Sequence, residues 1–108
     1  MEKTEFLEKN IFTDLKNIND GFDNEDKLYF SESDFEIVIQ RLEHFGIGVY
    51  KIETWLKGKF YATSGHEDHK KKVTDPRWYK KAFKTFKSGQ AGLSYAATYK
   101  VSNKLLAR

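Results

Sequence analysis

The hydrophobic pattern changes its period at Gly46, and this change constrains the fold more than any other feature of the chain. Before Gly46, apolar residues recur at the three- and four-residue spacing of a helix face: Phe35, Val38, Ile39, Leu42 and Phe45. After it, residues 47–56 are rich in β-branched and aromatic side chains, which favours a strand. A helix that ends at glycine and leads directly into a strand predicts an α+β fold.

The start of this helix carries a capping signal. In the sequence Ser33-Asp34-Phe35-Glu36, the Ser33 hydroxyl is placed to accept from the amide three residues on, and Glu36 is placed to reach back. This spacing predicts Ser33 as the N-cap residue.

The segment after Gly46 predicts a β-hairpin. Lys57-Gly58 forms a two-residue turn between residues 47–56 and 59–63. Pairing Leu56 with Lys59 places Trp55 opposite Phe60 and Thr54 opposite Tyr61.

Two further apolar stripes predict helices. The first lies within residues 1–22 and comprises Leu7, Ile11, Leu15, Ile18 and Phe22. The second helix begins at Asp75, a suitable N-cap, followed by Pro76 at the first helical position, and it ends at Ser88-Gly89. Its apolar face comprises Trp78, Tyr79, Ala82, Phe83 and Phe86.

Two weaker patterns decide the number of strands. Residues 93–101 alternate as a strand does, although a helix from Tyr95 onward is the competing interpretation. Residues 27–30 form a short candidate strand after an acidic connector. With that strand, the element order matches a ferredoxin-like βαββαβ sandwich; without it, a three-stranded sheet is covered by helices.

We therefore expect an α+β fold in which a small antiparallel sheet of three or four strands is packed by two helices. The ferredoxin-like sandwich with an additional N-terminal helix is the preferred arrangement. We expect one domain over residues 1–108, consisting of the N-terminal helix (1–22), the α+β core (27–101) and a frayed tail (102–108).

The glycine and aromatic positions in this core resemble an uncharacterised bacterial family described as "phage envelope protein"-like. The resemblance covers roughly residues 33–95. It rests on Phe35, Leu42, the sequence Gly46-Ile47-Gly48-Val49-Tyr50, then Gly58, Phe60, Tyr61, Trp78, Phe86 and Gly89. It implies a small α+β domain and no catalytic residues.

The composition excludes several classes of protein. The chain has no cysteine, so disulfides, thiolate metal sites and cysteine nucleophiles are ruled out. It contains no apolar run near the ~20 residues of a membrane span, and its polar N-terminus lacks the pattern of a signal peptide. We therefore expect a soluble cytoplasmic protein with no membrane partner.

Charge is distributed very unevenly along the chain. Residues 1–50 contain five Lys and Arg against twelve Asp and Glu, and residues 51–108 contain fourteen against four, although the whole chain carries only +3. Basic patches with interleaved aromatics are typical of nucleic-acid binders. The candidate nucleic-acid or anion-binding residues are Lys70, Lys71, Lys72, Arg77, Lys80, Lys81 and Lys84.

Two other groups of polar residues are candidate chemical sites. The sequence His66-Glu67-Asp68-His69 has metal-ligating side chains, with His44 as a candidate third ligand. Three lysines follow it directly, so a solvated loop is the better interpretation. Glu53 lies in mid-strand and is interpreted as a surface residue paired with lysine rather than as a catalytic acid. No catalytic residue, metal site or cofactor is predicted.

These observations predict a small non-enzymatic binding or protein-interaction module, whose partner is another protein or a second copy of the chain. The alternative is a weak, sequence-tolerant nucleic-acid binder that uses the basic C-terminal half. A third hypothesis is a small enzyme with a site in a dimer cleft, for which Glu53, His66 and His69 are the candidate residues.

Overall fold

Four α-helices and three strands are formed by the residues that the computed structural model describes, 2–23 and 27–107. In chain order they are α1 (Lys3–Asn10), α2 (Glu32–Phe45), β1 (Gly48–Leu56), β2 (Lys59–Gly65), α3 (Pro76–Gly89), β3 (Ser94–Lys100) and α4 (Asn103–Leu106). A 3₁₀ helix, His66–His69, connects β2 to the turn before α3. The strands form one antiparallel sheet in the order β2-β1-β3, which confirms the predicted α+β class.

The ferredoxin-like sandwich is not confirmed, because residues 27–30 do not form a strand of the sheet. Their backbone is linked to the sheet by an isolated bridge, in which the amides of Phe30 and Tyr95 each donate to the other's carbonyl at 2.8 Å. The preceding residue bonds elsewhere: the Tyr29 amide donates to Asn17 Oδ1, and the Tyr29 carbonyl accepts from the Ile18 amide. This segment is therefore paired with the N-terminal region rather than with a full strand.

The hairpin forms as predicted except at one position. Lys57 and Gly58 have φ of 50° and 79°, as a two-residue turn of this type requires, and Trp55 lies opposite Phe60. Thr54 lies opposite Ala62 rather than Tyr61, so that part of the predicted register is wrong. The buried Thr54 hydroxyl donates to the Ala62 carbonyl at 2.7 Å and accepts from the Ala62 amide at 3.1 Å, which satisfies it across a β-bulge.

Helix α2 begins two residues earlier than the capping pattern predicts. Its N-cap is Ser31, whose hydroxyl accepts from the Asp34 amide at 3.3 Å, whereas Ser33 lies inside the first turn. The predicted end is confirmed, since Gly46 adopts the left-handed conformation with φ of 70°. This conformation turns the chain directly from α2 into β1.

The predicted helix over residues 1–22 is wrong beyond Asn10, where α1 ends. Asp14 adopts a left-handed φ of 67°, which no right-handed helix accommodates. The guanidinium of Arg41 donates to the carbonyls of Ile11 and Thr13, each at 2.8 Å. The side chains of Asn17 and Asn19 each accept from the backbone amide two residues on, which competes with helix formation.

The structure decides two predictions for the last part of the chain, the strand or helix from Tyr95 and the frayed tail. Residues 94–100 form β3, so the strand interpretation is confirmed over the helix from Tyr95. The predicted frayed tail instead contains α4, whose N-cap Ser102 accepts from the Leu105 amide at 3.4 Å. Leu105 and Leu106 pack against the core, which explains why this turn is ordered.

The core places α2 and α3 on the same side of the sheet. The Tyr95 ring of β3 stacks on Phe35 of α2 at 5.2 Å and meets Phe83 of α3 edge-on at 5.1 Å. All three side chains are buried, as is Trp78 on the same helix. Because their apolar faces are occupied in this way, the outer faces of both helices remain at the surface.

Candidate binding surface

Helix α3 presents a continuous row of basic side chains to solvent. Asp75 caps the helix by accepting from the Arg77 amide at 2.9 Å, and the adjacent Pro76 supplies the preset φ of a first helical residue. At 3.6 residues per turn, the exposed basic residues fall within an arc of about 120°, and a helix of this length extends about 21 Å. We call this row the basic face: Arg77, Lys80, Lys81, Lys84 and Lys87.

Arg77 is engaged with the cap of its own helix. Its guanidinium donates to Asp75 Oδ2 at 2.8 Å. The side-chain and backbone hydrogen bonds from Arg77 lower the pKa of the Asp75 carboxyl to about 2, so the pair is fully ionised at neutral pH. Arg77 is therefore a partly neutralised end of the basic face.

The three lysines at 70–72 lie in the turn that leads into α3. All three are exposed, and Lys70 has a left-handed φ of 53°. The Lys72 carbonyl accepts from the Asp75 amide at 3.0 Å, which holds the turn against the N-terminal end of the helix. The seven basic residues predicted from the sequence thus follow one another from this turn along the outer side of α3.

Acidic residues of α2 lie beside part of the basic face. Lys80 Nζ is 3.3 Å from Glu43 Oε1, and Lys87 Nζ is 3.6 Å from Glu36 Oε1. These are surface ion pairs, each of which contributes roughly 0–1 kcal/mol. Some acidic residues of the first half of the chain therefore contact basic residues of the second half in the folded protein.

A groove of about 310 Å³ runs between the two helices at this place. Gln40 and Lys84 line it together with the ion-paired residues, and Ile39 and Phe83 form its apolar floor. Sequence reasoning missed Gln40, Glu36, Glu43 and Lys87 as parts of one surface. In the sequence, these residues recur at the same spacing of four and then three positions on both helices. That spacing indicates a shared surface only when α2 is known to pack against α3.

Lys81 and Lys84 stand apart from the rest of the basic face. Both are exposed, and in the described part of the chain neither forms an ion pair. They flank a shallow surface with Thr85, Ser88 and Gly89. Thr85 also lies beside Thr63 and Ser64 of β2, so the edge of the sheet adjoins this side of α3.

The His-Glu-Asp-His sequence forms a structured turn rather than a loose loop. The His66 ring bonds through Nδ1 to the Lys71 carbonyl at 2.8 Å, and His69 Nε2 lies 3.0 Å from the Ser64 hydroxyl. The His69 ring also packs near Trp78, at 5.5 Å. Across residues 2–23 and 27–107, no three His, Cys, Asp or Glu side chains are arranged to hold a metal ion.

Glu53 is held by two lysines. Lys27 Nζ lies 3.1 Å and 3.0 Å from its carboxylate oxygens, and Lys51 Nζ lies at 3.3 Å. The hydrogen bond to Glu53 is the main cause that raises the pKa of Lys27 above its ordinary value. Glu53 therefore forms a structural ion pair that fastens residue 27 to β1.

The large apolar side chains with the greatest exposure are on the sheet rather than on α3. Phe60 is 55% exposed, and Tyr50 and Tyr61 are 42% exposed. The aromatic residues that the sequence places on α3, Trp78 and Tyr79, are both buried. Aromatic and basic residues are thus on neighbouring elements and are not interleaved on one helix.

Comparisons of the chain with models of protein families, with curated proteins and with solved structures return no match. The resemblance to the "phage envelope protein"-like family stays a prediction. None of the helices formed by the described residues is long and apolar enough to cross a membrane.

Proposed function

We propose that this chain is a non-enzymatic protein-interaction module whose basic face binds an acidic segment of a partner protein. The observation that carries this proposal is the pair Lys81 and Lys84, which are exposed on one helix and form no ion pair within the described residues. Complementary charge steers partners together and fixes their orientation. The expected cytoplasmic location and self-association stay predictions.

The neighbourhood of the basic face favours a protein carboxylate over a nucleic-acid backbone. Ile39 and Phe83 form an apolar floor between α2 and α3, which suits the methylene groups of an acidic side chain and gives a phosphate nothing to pack against. The aromatic residues Trp78 and Tyr79 of α3 are buried, so the basic face offers nucleic-acid bases no aromatic surface to stack on.

Nucleic acid is the second candidate, favoured by a different part of the same surface. Lys70, Lys71 and Lys72 extend the basic row beyond the acids of α2, and Phe60 and Tyr61 are exposed on the sheet. Exposed aromatics with a lysine next to them, as Phe60 and Tyr61 have in Lys59, suit weak, sequence-tolerant binding of single strands.

Fluorescence anisotropy with two labelled probes, an oligoglutamate peptide and an oligothymidine, tests the proposal. We expect the peptide to bind at low salt and the double variant Lys81→Gln/Lys84→Gln to weaken it about tenfold, since two surface ion pairs together contribute about 1.4 kcal/mol. The double variant Lys3→Gln/Lys9→Gln removes the same charge from the exposed side of α1 and serves as the matched control.

The outcomes separate the two candidates. Tighter binding of oligothymidine, with an affinity that falls steeply as salt rises, would replace the protein partner with a nucleic acid. Absence of binding by either probe at low salt would refute both. Equal weakening by the two double variants would show that net charge, and not the basic face, determines binding.

A further inference from the structure

Three residues of α2 and three residues of α3 face each other as a ladder. Along α2, the positions separated by four and then three residues are Glu36, Gln40 and Glu43; along α3, the same spacing gives Lys80, Lys84 and Lys87. The two outer rungs are ion pairs, Glu43 with Lys80 and Glu36 with Lys87, which also shows that the helices run antiparallel. The central rung has a lysine but no acid.

We infer that this central rung is the subsite that receives one carboxylate of the partner, bound between Lys84 and Gln40. The inference rests on the function proposed above and names the place on the basic face where recognition is concentrated. The lysine ammonium and the Gln40 amide are both hydrogen-bond donors, and a carboxylate accepts from both. Both side chains are exposed and line the same groove.

The flanking rungs and the floor determine which ligand this subsite accepts. Glu36 and Glu43 are each paired with a lysine, so the positive charge left for a ligand is that of Lys84, which one singly charged carboxylate balances. The floor formed by Ile39 and Phe83 suits the methylene groups of a glutamate side chain. An acidic side chain of a protein segment therefore fits this position better than a nucleic-acid phosphate.

The chain offers a substitution that fills the subsite from within. In the variant Gln40→Glu, a carboxylate of the same length as the amide stands beside Lys84 and completes the third rung. We expect its affinity for the oligoglutamate peptide to fall about tenfold, because Lys84 is neutralised and a repelling carboxylate is added. Its melting temperature should stay close to that of the unmodified chain, since repulsion from Glu36 and Glu43 offsets the new ion pair. The variant Lys84→Gln, which removes one ion pair, should weaken binding about threefold.

The matched control is Gln90→Glu, the same chemical change at the end of α3 and outside the groove. It lowers the net charge equally, so the inference requires that it bind the peptide nearly as the unmodified chain does. Equal weakening by Gln40→Glu and Gln90→Glu would overturn the inference, because the effect would then be one of total charge.

The result also distinguishes failure of the subsite from failure of the proposed function. If Lys81→Gln/Lys84→Gln weakens peptide binding and Gln40→Glu leaves it unchanged, the basic face binds acidic segments but not through the central rung. If the unmodified chain does not bind the peptide, the proposed function itself fails. The chain could instead form a dimer at rising concentration that dissociates in the variant Gln40→Glu. That result would show that a second copy of the chain fills the central rung, and it would overturn the inference that a different protein does.

Discussion

The turn from α2 into β1 depends on a left-handed residue, and replacing Gly46 by alanine tests it. Gly46 has φ of 70°, and a Cβ added there would meet nothing within 4 Å. The cost of Gly46→Ala is therefore conformational rather than steric. A left-handed conformation costs an L-residue roughly 1–2 kcal/mol, so we expect the free energy of unfolding to fall by about that amount.

Gly89, the last residue of α3, provides a control with the opposite expected sign. A Cβ there also meets open space, but its φ is not positive. Alanine reduces the conformational freedom of the unfolded chain and has a higher helix propensity, so Gly89→Ala should raise the free energy of unfolding by about 0.4–1 kcal/mol.

Urea unfolding followed by circular dichroism measures both variants, and thermal melting gives an independent comparison. A change of 1 kcal/mol moves the melting temperature by about 4–8 °C in a domain of this size. The two variants should therefore move it in opposite directions. A neutral or stabilising effect of Gly46→Ala would refute the left-handed helix end and the chain direction that follows from it.

Two further predictions test the capping of α2 and the burial of the tyrosines. Ser31→Ala should lower the free energy of unfolding by about 1 kcal/mol because it removes the N-cap, whereas Ser33→Ala should be nearly neutral; an equal effect of the two in urea unfolding would contradict the assignment of Ser31 as the cap. Burial raises the pKa of Tyr79, Tyr95 and Tyr99 above the ordinary 10.0, so the unfolded chain ionises these phenols at a lower pH than the folded one. Stability should then be complete below about pH 10 and fall above it, and Tyr99→Phe should make the fall shallower by up to about 1.4 kcal/mol per pH unit; an unchanged slope in unfolding measured from pH 8 to 11 would contradict the burial of Tyr99.

The elements that were predictable from sequence are those whose signals are local. The hairpin turn at Lys57-Gly58, the left-handed Gly46 and the Asp75-Pro76 helix start each depend on residues adjacent in the chain. Their conformations are set by short-range sterics and capping, so they appear in the sequence directly.

The errors arise where a distant residue determines the outcome. The apolar stripe of residues 7–22 fits a helix, but Arg41, about thirty positions away, binds the carbonyls at 11 and 13 and stabilises a turn there. The hairpin register shifts because the buried Thr54 hydroxyl bonds to both backbone groups of Ala62. Local periodicity contains no information about either contact.

The candidate surface was predictable in composition and unpredictable in arrangement. The lysines of α3 were identified because helical spacing places them opposite the apolar face. Their partial neutralisation by Glu36 and Glu43 requires the packing of α2 on α3, which is fixed by the mutual contacts of the Phe35, Phe83 and Tyr95 rings. A count of charges along the chain overstates the positive potential of this surface.

The bulge at Thr54 has a consequence for aggregation. In the described part of the chain, β2 has a neighbouring strand on one side only, and it exposes Phe60 and Tyr61 at that open edge. An edge with exposed aromatics is a hazard, because another chain can add a strand to it and start a fibril. The extra residue in the bulge breaks the regular spacing of backbone donors and acceptors, and Lys59 places a charge beside the two rings. The bulge opposite Thr54 thus makes the open edge of β2 a less regular template for a further strand, while the aromatic rings stay in contact with water.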